Sequence, residues 1–412
     1  MSLLRDECSQ SRVNLDEKTK ALELLISENH ELKAQLEEMA KRAKIAEAEN
    51  KTLVDRWMLQ KMKDAECMNE ANALYEEMIS RLKGSSIEQI ARQQVDGVIR
   101  QSEEGGEYLA ESSIPTACAL KIKAHQGSCS SIRFVPNSGK LITGGQDRAI
   151  KLWDTNTGTQ ISTLPGCLGS VLDVAITHDA KSIIAATSSN NLYVWDAASG
   201  RIIHTLTGHA EKVCAVDTSQ GGSGRRAISA AHDRTIKAWD LHRGYCTNTL
   251  ISHSNCNAVC FGMDGRSVCS GHLDGNLRLW DLEAGKLVCE LAAHSLAVTS
   301  VSVSRGGNMI LTSGRDNVHH LFDVRSLEIC GSFRASGSFR VASNWSRSCM
   351  TGDEGQVAAG STDGSVFVWS VRRGDVVSAL REHAAPVLSC SCGGVGKPLA
   401  SSDKNGVVCT WT

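Results

Sequence analysis

Seven aromatic residues recur at a nearly constant interval through the last three-quarters of this 412-residue chain. Successive members lie 42, 44, 41, 42, 47 and 42 residues apart. A repeat of this length has room for four short strands, and repeated four-stranded units are typical of a β-propeller. The spacing therefore predicts an all-β ring of seven blades. The seven anchors are Trp153, Trp195, Trp239, Trp280, Phe322, Trp369 and Trp411.

The repeat carries two further signals. Four of the anchors are followed by Asp, and this Trp-Asp dipeptide is typical of WD40 repeats. Six residues before each anchor lies a residue suited to a tight turn. Because such folds serve mainly to hold partners, a binding module is expected and an enzyme is not. A His opens five of the seven units, at His125, His209, His253, His294 and His383.

In the most regular units a His, a hydroxyl on the second strand, the turn Asp and the Trp are predicted to form a buried hydrogen-bonded relay. A buried partner left unpaired costs about 1–3 kcal/mol, so the relay would specify the geometry of its blade. Blade two has Cys167 and Ser189 at the His and Asp positions, and blade six has no clear His. The predicted relays are His125, Thr143, Asp147 and Trp153 in blade one, His209, Ser229, Asp233 and Trp239 in blade three, and His253, Ser270, Asp274 and Trp280 in blade four.

The last blade lacks sequence for an outer strand, because the chain stops one residue after Trp411. The alternation of apolar and polar residues over 118–123, just before the first His, predicts a strand that pairs antiparallel with that blade. Such pairing joins the two ends of the ring and removes both sheet edges. The predicted propeller covers residues 117–412.

Residues 1–83 predict a different object, an α-helical coiled coil in the form of a parallel dimer. Neither Pro nor Gly occurs before Gly84, and two Asn at core positions favour a two-stranded homodimer in register. Past Trp57 the core positions become polar, which leaves open either a docked partner or a helix end that faces water. Residues 84–116 predict a short helix and an acidic linker. The predicted seam is Leu15, Leu22, Leu25, Asn29, Leu32, Leu36, Met39, Asn50 and Leu53.

Composition excludes several classes of function. With 44 basic and 46 acidic residues, the chain has no overall field to attract nucleic acid. No apolar run approaches the roughly 20 residues that span a bilayer, so a cytoplasmic protein is expected. The sixteen Cys fall largely in predicted strands without zinc-ligand spacing and are expected to be reduced core thiols. No nucleophile or phosphate loop stands apart from the repeat, so neither a cofactor nor a metal is predicted.

The helix end carries a more specific string, Leu53-Val54-Asp55-Arg56-Trp57-Met58, followed by Asn69-Glu70-Ala71-Asn72. This string resembles the coiled-coil terminus of the autophagy-related protein 16 family. The propeller is similar to that of the plant members in the stretch from Ala342 to Cys349 and in the closing residues 402–412. The resemblance covers nearly the whole chain from about Asp6 onward.

The resemblance implies a non-catalytic dimeric scaffold that binds a conjugate of autophagy-related proteins 12 and 5. In the family this complex directs transfer of a protein of the autophagy-related protein 8 group onto phosphatidylethanolamine, at the forming autophagosomal membrane. The membrane association is peripheral and depends on membrane-recruiting proteins. Family members carry an amphipathic helix ahead of the coil that grips protein 5, and residues 1–14 are too short and polar to supply it. Direct contact with protein 5 is therefore not implied for this chain.

A second reading, a substrate receptor of a cullin-type ubiquitin ligase, comes from Phe322-Asp323-Val324-Arg325, which approximates a Trp-Asp-x-Arg motif. The single propeller Trp outside an anchor position, Trp345, is expected in the core, with an exposed binding residue as the alternative. Loops beside the turn residues are the usual place for a partner, and their Arg and His content suggests an acidic one, although a solvated rim has the same composition. The predicted partner-binding surface is Gln146, Arg148, His232, Arg234, His272, Arg315 and Asn317.

Overall fold

The computed structural model divides the chain into two compact units, Met1–Glu66 and Cys67–Thr412. The residues it describes are 18–20, 26–27, 30, 32–42, 44, 48, 51–52, 55–56, 58–59, 62–63 and 69, and residues 114–412 apart from 221–224, 336, 338 and 395–397.

In the first unit, every described residue between 18 and 63 is helical. In the continuous stretch 32–42, the predicted seam residues Leu32, Leu36 and Met39 lie on one face of the helix and are 62%, 73% and 67% exposed. Arg42 and Glu38 form an ion pair one helical turn apart, at 2.5 Å. The other predicted seam residues lie outside the described residues, as does most of the predicted linker; they are Leu15, Leu22, Leu25, Asn29, Asn50 and Leu53.

The second unit contains a ring of seven four-stranded antiparallel sheets, and each sheet is one blade. The innermost strands of blades one to seven are β2 (Cys129–Phe134), β6 (Val171–Ile176), β10 (Val213–Thr218), β14 (Cys256–Phe261), β18 (Val298–Val303), β22 (Cys349–Met350) and β26 (Val387–Cys392). The second strands are β3 (Lys140–Gly145), β7 (Ser182–Thr187), β11 (Arg226–Ala231), β15 (Ser267–His272), β19 (Met309–Gly314), β23 (Gln356–Gly360) and β27 (Leu399–Asp403).

The outer half of each blade completes this seven-bladed architecture. The third strands are β4 (Ile150–Asp154), β8 (Leu192–Asp196), β12 (Thr235–Asp240), β16 (Asn276–Asp281), β20 (His319–Asp323), β24 (Ser365–Ser370) and β28 (Val407–Trp411). The outermost strands are β5 (Gln160–Leu164), β9 (Ile202–Leu206), β13 (Tyr245–Ile251), β17 (Lys286–Ala292), β21 (Ile329–Phe333), β25 (Val376–Arg381) and, for blade seven, β1 (Cys118–Lys123).

The strand β1 closes the ring. It pairs antiparallel with β28, so the outermost strand of the last blade comes from the segment that precedes the first blade. Backbone hydrogen bonds continue the pairing at its end, where Thr412 N donates to Ala117 O and Thr116 N donates to Thr412 O, both at 3.0 Å. This strand occupies the range that the alternating pattern predicts.

The core lies between neighbouring blades. Trp239 of blade three, for example, packs in one cluster with Leu192 and Val194 of blade two and with Val213 of its own inner strand. The anchors are therefore the contact surface that joins one blade to the next. All the described cysteines are free thiols, and burial raises the pKa of Cys129 and Cys214 to about 12.

Antiparallel pairing brings two sets of loops to one face of the ring, which we call the turn face. It carries the turns from second to third strands, together with the connections that lead into each innermost strand. Blade six is irregular on this face. Its innermost strand, β22, has two residues, and the connection before it runs from 334 to 348.

Candidate protein-binding site

Blade one contains the complete predicted relay. His125 Nδ1 lies 2.8 Å from Asp147 Oδ1, and His125 Nε2 lies 2.7 Å from Thr143 Oγ1. Trp153 Nε1 donates to the same hydroxyl oxygen at 3.0 Å. Because a carboxylate can only accept, His125 carries its proton on Nδ1 and the Thr143 hydroxyl donates to Nε2. Burial lowers the pKa of His125 although Asp147 opposes the shift, so the imidazole is neutral at pH 7.

Blade three has the same arrangement. His209 Nδ1 lies 2.9 Å from Asp233, and its Nε2 lies 2.7 Å from Ser229 Oγ, which accepts from Trp239 Nε1 at 2.8 Å. Burial alone raises the pKa of Asp233, but hydrogen bonds led by that from His209 outweigh it and lower the pKa to about 2. The relay therefore holds a neutral His against an ionised Asp.

Outside the predicted set, blade seven forms the whole relay and blade five forms part of it. In blade seven, His383 contacts Asp403 at 3.0 Å and Ser401 at 2.7 Å, and Trp411 donates to Ser401 at 2.7 Å. Blade five forms the His-Asp and His-Thr contacts of the relay, both at 3.0 Å, but Phe322 has no N–H with which to extend it. In blade seven the residue that pairs with His383 is Asp403, the last residue of β27. It is not Asn405, the turn residue six places before the anchor.

The prediction for blade four is wrong in its histidine. His253 is exposed, and His272 lies at the hydroxyl instead, with its Nε2 2.8 Å from Ser270 Oγ. Trp280 donates to Ser270 at 2.7 Å, so the rest of the relay is present. His272 is fully buried, which also removes it from the predicted partner-binding surface.

Arg278 explains why His272 and not His253 is the buried histidine of blade four. Its guanidinium is buried and donates to Asp274 Oδ2 at 2.7 Å and to Glu290 at 2.6 Å. Asp274 is thereby occupied by an arginine and does not hold a histidine from the preceding connection. Burial and the neighbouring Arg278 charge together lower the pKa of His272 to about 4, so this imidazole is neutral as well.

Blades two and six lack the relay because Ala185 and Ala359 stand where the other blades have the hydroxyl, ten residues before the anchor. The N–H groups of Trp195 and Trp369 donate to backbone carbonyl oxygens of the preceding connections, at 3.2 and 3.3 Å. An Ala at this position is therefore the sequence signal of a blade that lacks the relay, and the His and Asp positions alone do not reveal it.

The irregular connection of blade six places the side chain of Arg347 in the central channel. The Arg347 side chain is buried, and its Nη2 donates to Asp173 Oδ2 at 3.1 Å and to Cys214 O at 2.9 Å. Its Nη1 donates to Thr299 O at 3.0 Å and to Asn257 O at 3.3 Å. One guanidinium therefore joins the innermost strands of blades two, three, four and five.

The backbone of Arg347 extends these links to blade seven. Arg347 N donates to Leu388 O at 2.8 Å, and Cys390 N donates to Arg347 O at 3.0 Å. Asp173 also accepts from Ser131 Oγ of blade one at 2.9 Å. The Arg347–Asp173 pair thus takes over contacts across the channel that the two-residue strand β22 does not provide.

Trp345 lies two residues before Arg347 and is half-buried, so the core position expected from sequence is wrong. The Lys212 ammonium lies 4.8 Å from the centroid of the Trp345 ring. Lys212 belongs to the connection into β10 of blade three, and Trp345 belongs to blade six, so the contact spans the channel at the turn face. We call this pair, with His232 and Asn257 beside it, the channel mouth.

The other residues of the predicted partner surface divide into two groups. Arg315 and Asn317 hold the blade-six connection, because Arg315 Nη1 donates to Val341 O at 2.9 Å and Asn317 Oδ1 accepts from Val341 N at 2.8 Å. Gln146 and Arg148 are exposed on blade one, and His232 and Arg234 are half-buried on blade three. Of the seven predicted residues, His232 is the one that lies at the channel mouth, where its backbone N donates to Lys212 O at 3.1 Å.

Sequence comparison assigns the two parts of the chain. The autophagy protein 16 family model matches residues 1–69, and the WD domain, G-beta repeat model matches residues 116–154, 158–196, 200–240, 244–281 and 285–323. The autophagy-related protein 16 of Arabidopsis thaliana is 63% identical over 408 residues, which cover 99% of this chain and 80% of that protein.

The chain is also similar to two more distant proteins. The protein tipD of Dictyostelium discoideum is 30% identical over 89% of this chain and 62% of its own length. The human protein Atg16l2 is 33% identical over 72% of this chain and 48% of its own length.

The comparisons set aside the ubiquitin-ligase receptor, whose motif residue Arg325 is an exposed turn residue with its backbone N bonded to Asp323 at 2.7 Å. The match to the family model and the WD40 repeats occur together in this chain, and the alignment with the Arabidopsis protein spans both. This chain belongs to the autophagy protein 16 family and is a scaffold of autophagy.

Proposed function

We propose that this chain acts as a dimeric, non-catalytic scaffold that positions the conjugate of autophagy-related proteins 12 and 5. The outcome of that positioning is lipidation of a protein of the autophagy-related protein 8 group on phosphatidylethanolamine during autophagosome formation. The observation that carries the proposal is the exposed apolar stripe on the helical part of the chain, in the region that matches the family model.

The stripe consists of Leu32, Leu36 and Met39, which follow one another at intervals of four and three residues. This spacing is that of a coiled-coil seam, and three large apolar side chains more than 60% exposed on one helical face are unfavourable in water. A second copy of the helix covers such a face. Dimerisation then doubles every binding site of the ring, which raises avidity without any new contact.

The ring supplies recruitment surfaces. Its turn face carries the channel mouth and the exposed Gln146 and Arg148, and these are the groups available to partner proteins, including membrane-recruiting ones. Among the described helical residues, none forms a segment long and apolar enough to cross a bilayer. In this proposal the protein is cytoplasmic, and its association with the forming autophagosomal membrane is peripheral and made through partners.

The stripe can be tested in the full chain by sedimentation equilibrium. The chain is expected to sediment as a dimer, and the triple variant Leu32→Glu, Leu36→Glu, Met39→Glu as a monomer, because six carboxylates would face one another in a dimer. The matched control replaces exposed polar residues of the same helix, Lys33→Ala and Lys41→Ala, and is expected to remain dimeric. A monomeric parent chain, or a dimeric triple variant, would contradict the proposal.

Binding of the 12–5 conjugate is tested by its co-purification with this chain and, in parallel, with a version that carries the family's N-terminal helix. Capture of the conjugate by the chain alone, or by its dimer with the longer version, supports the scaffold role. If neither form captures the conjugate, the proposed function is wrong.

A further inference from the structure

We propose that the side of the ring carries a docking surface for a helical segment of this same chain, the segment that contains Asn69. The surface lies between β13, the outermost strand of blade three, and the turn 282–285 of blade four, and we call it the edge groove. The inference goes beyond the proposed scaffold function, because it rests on contacts inside the second unit and holds whether or not the 12–5 conjugate binds.

The observation that carries the inference is a pair of hydrogen bonds between Asn69 and one residue of β13. Asn69 is helical, and its Nδ2 donates to Thr249 O at 3.2 Å. Thr249 N donates in turn to Asn69 Oδ1 at 3.1 Å, although the two residues stand 180 positions apart in the chain. The side-chain amide thus offers the backbone one donor and one acceptor, as a neighbouring strand does.

The position of Thr249 in the sheet explains why it can accept such a partner. An outermost strand presents N–H and C=O groups that no further strand of its own sheet bonds, and these groups form a template for another segment. Thr249 lies opposite Lys237 of β12, and its backbone groups are directed to Asn69. Among the described residues, no other outermost strand has both backbone groups of one residue bonded by a side chain, which makes this contact specific to blade three.

Contacts within the ring hold the walls of the edge groove. Asn248 Nδ2 donates to Leu282 O at 2.6 Å and so ties β13 to the turn of blade four. Lys237 Nζ donates to Thr249 Oγ1 at 3.0 Å. At the other wall, a Cβ added to Gly285 would lie 4.0 Å from Asn69 Nδ2. Because the bonds of Asn248 and Lys237 do not involve Asn69, the groove is preformed, which reduces the entropy lost on docking.

The sequence around Asn69 suits a helix that docks through its outer side. The seam positions Leu36 and Met39, repeated at intervals of seven, place core positions at 64 and 67, and Asn69 falls between successive core positions on the outer side. Ala65 and Ala73 stand four residues before and after Asn69, which is the spacing of one helical face. Small residues on that face allow a short amide to reach the backbone of a strand.

Docking covers two surfaces at once. It occupies the edge of β13 at Thr249, and it occupies the helical face that contains Asn69. A protein that binds either surface must first displace the docked segment, so the two surfaces become available together. The edge groove therefore couples the exposure of the helical segment to the exposure of a strand edge of the ring.

Hydrogen exchange of the full chain, followed by mass spectrometry at single-residue resolution, tests the docking at Thr249. The Thr249 N–H bonds to Asn69, so Asn69→Ala is expected to increase its exchange rate by about tenfold. The next amide, Leu250, belongs to the pairing of β13 with Ile236 of β12, because successive residues of a strand face alternate neighbours. Exchange at Leu250 is expected to stay unchanged, which separates release of Asn69 from unfolding of the strand.

Two further variants sharpen the result. Asn69→Asp replaces the donor with a carboxylate oxygen that would face Thr249 O, and it is expected to raise exchange at Thr249 as Asn69→Ala does. Asn156→Ala, in an exposed turn of blade one, is the matched control and is expected to exchange as the parent does. Exchange at Thr249 that is equal in the parent and in Asn69→Ala would overturn the proposal, as would faster exchange at Thr249 and Leu250 together.

The triple variant Leu32→Glu, Leu36→Glu, Met39→Glu shows whose helix occupies the groove. If the docked segment belongs to the same chain, protection of Thr249 is expected to persist in this variant. Loss of protection would mean that a second copy supplies the helix, and the assignment to the same chain would be wrong. None of these readouts depends on capture of the 12–5 conjugate, so the edge groove and the scaffold role can fail separately.

Discussion

Blade three and blade six are held in the ring by different contacts. In blade three, His209, Ser229, Asp233 and Trp239 form a relay within one blade, and all four residues lie within about thirty places of one another along the chain. In blade six the hydroxyl position is Ala359, the innermost strand is two residues long, and Arg347 reaches residues up to 174 positions away.

The difference shows how one unit of a repeat can depart from the others and carry a candidate binding residue. A blade that is held by its own relay presents short, regular loops at the turn face. In blade six the long connection 334–348 pairs with a strand through the backbone of Arg347, beside Ser389 of blade seven, and it places Trp345 at the channel mouth. The irregular blade therefore carries the candidate binding residue, as expected where local rules of the fold are relaxed.

The largest effect is expected from Arg347→Ala, which tests the channel anchor of blade six. It leaves Asp173 buried without its cation, and removing one partner of a buried ion pair costs about 3–5 kcal/mol. The free energy of unfolding, measured by denaturant titration, should fall by that amount, while Arg372→Ala in an exposed turn should have little effect. A double variant with Asp173→Asn should recover part of the loss; an Arg347→Ala protein as stable as the parent would contradict this account of blade six.

An intermediate effect is expected from Ser229→Ala, which breaks the relay of blade three. His209 Nε2 and the N–H of Trp239 both lose their partner, and an unpaired buried group costs about 1–3 kcal/mol. Ser332→Ala, at an exposed position of β21, is the control for the loss of a hydroxyl. The comparison of blades predicts the melting temperature of Ser229→Ala to drop and that of the control to stay; equal melting temperatures would show that the relay does not hold the blade.

The effect that is smallest per unit of change is the pH dependence of the buried histidines, because it is spread over several pH units. The pKa of His272 is lowered to about 4 and that of His319 to about 3, mainly by burial, whereas an unfolded His titrates near about 6.5. Between these values the unfolded chain binds a proton that the folded protein does not bind. The contribution to stability is therefore complete above about pH 6.5 and is lost as the pH falls towards about 4 for His272 and about 3 for His319.

The slope of stability against pH identifies the groups. Each such His contributes at most about 1.4 kcal/mol per pH unit in that window. His272→Gln should flatten the curve between pH 6.5 and 4, and the exposed His253→Gln is the matched control that should leave it unchanged. If His253→Gln flattened the curve instead, His253 and not His272 would be the buried histidine of blade four.

The relays show how far a repeat carries prediction into atomic detail. In blades one and three the His, hydroxyl, Asp and Trp stand at the repeat's regular positions, and the observed bonds follow the predicted pattern. In blade four the sequence pattern is complete with His253, but Asp274 forms an ion pair with Arg278. The buried His272 takes the place of His253 beside Ser270. A pattern of residue types cannot tell which of two nearby partners a carboxylate accepts, because that depends on distance and burial.

The sequence by itself determined the features that repeat or alternate along the chain. The anchors specify seven blades, the alternation over 118–123 specifies β1, and the spacing of Leu32, Leu36 and Met39 specifies one helical face, because each depends on neighbours close in sequence or on a fixed period. Only the tertiary structure decided the role of Arg347 and the exposure of Trp345. Their contacts join blades through the channel, across 48 to 174 positions of chain, and closure of the ring alone brings those partners within hydrogen-bonding distance.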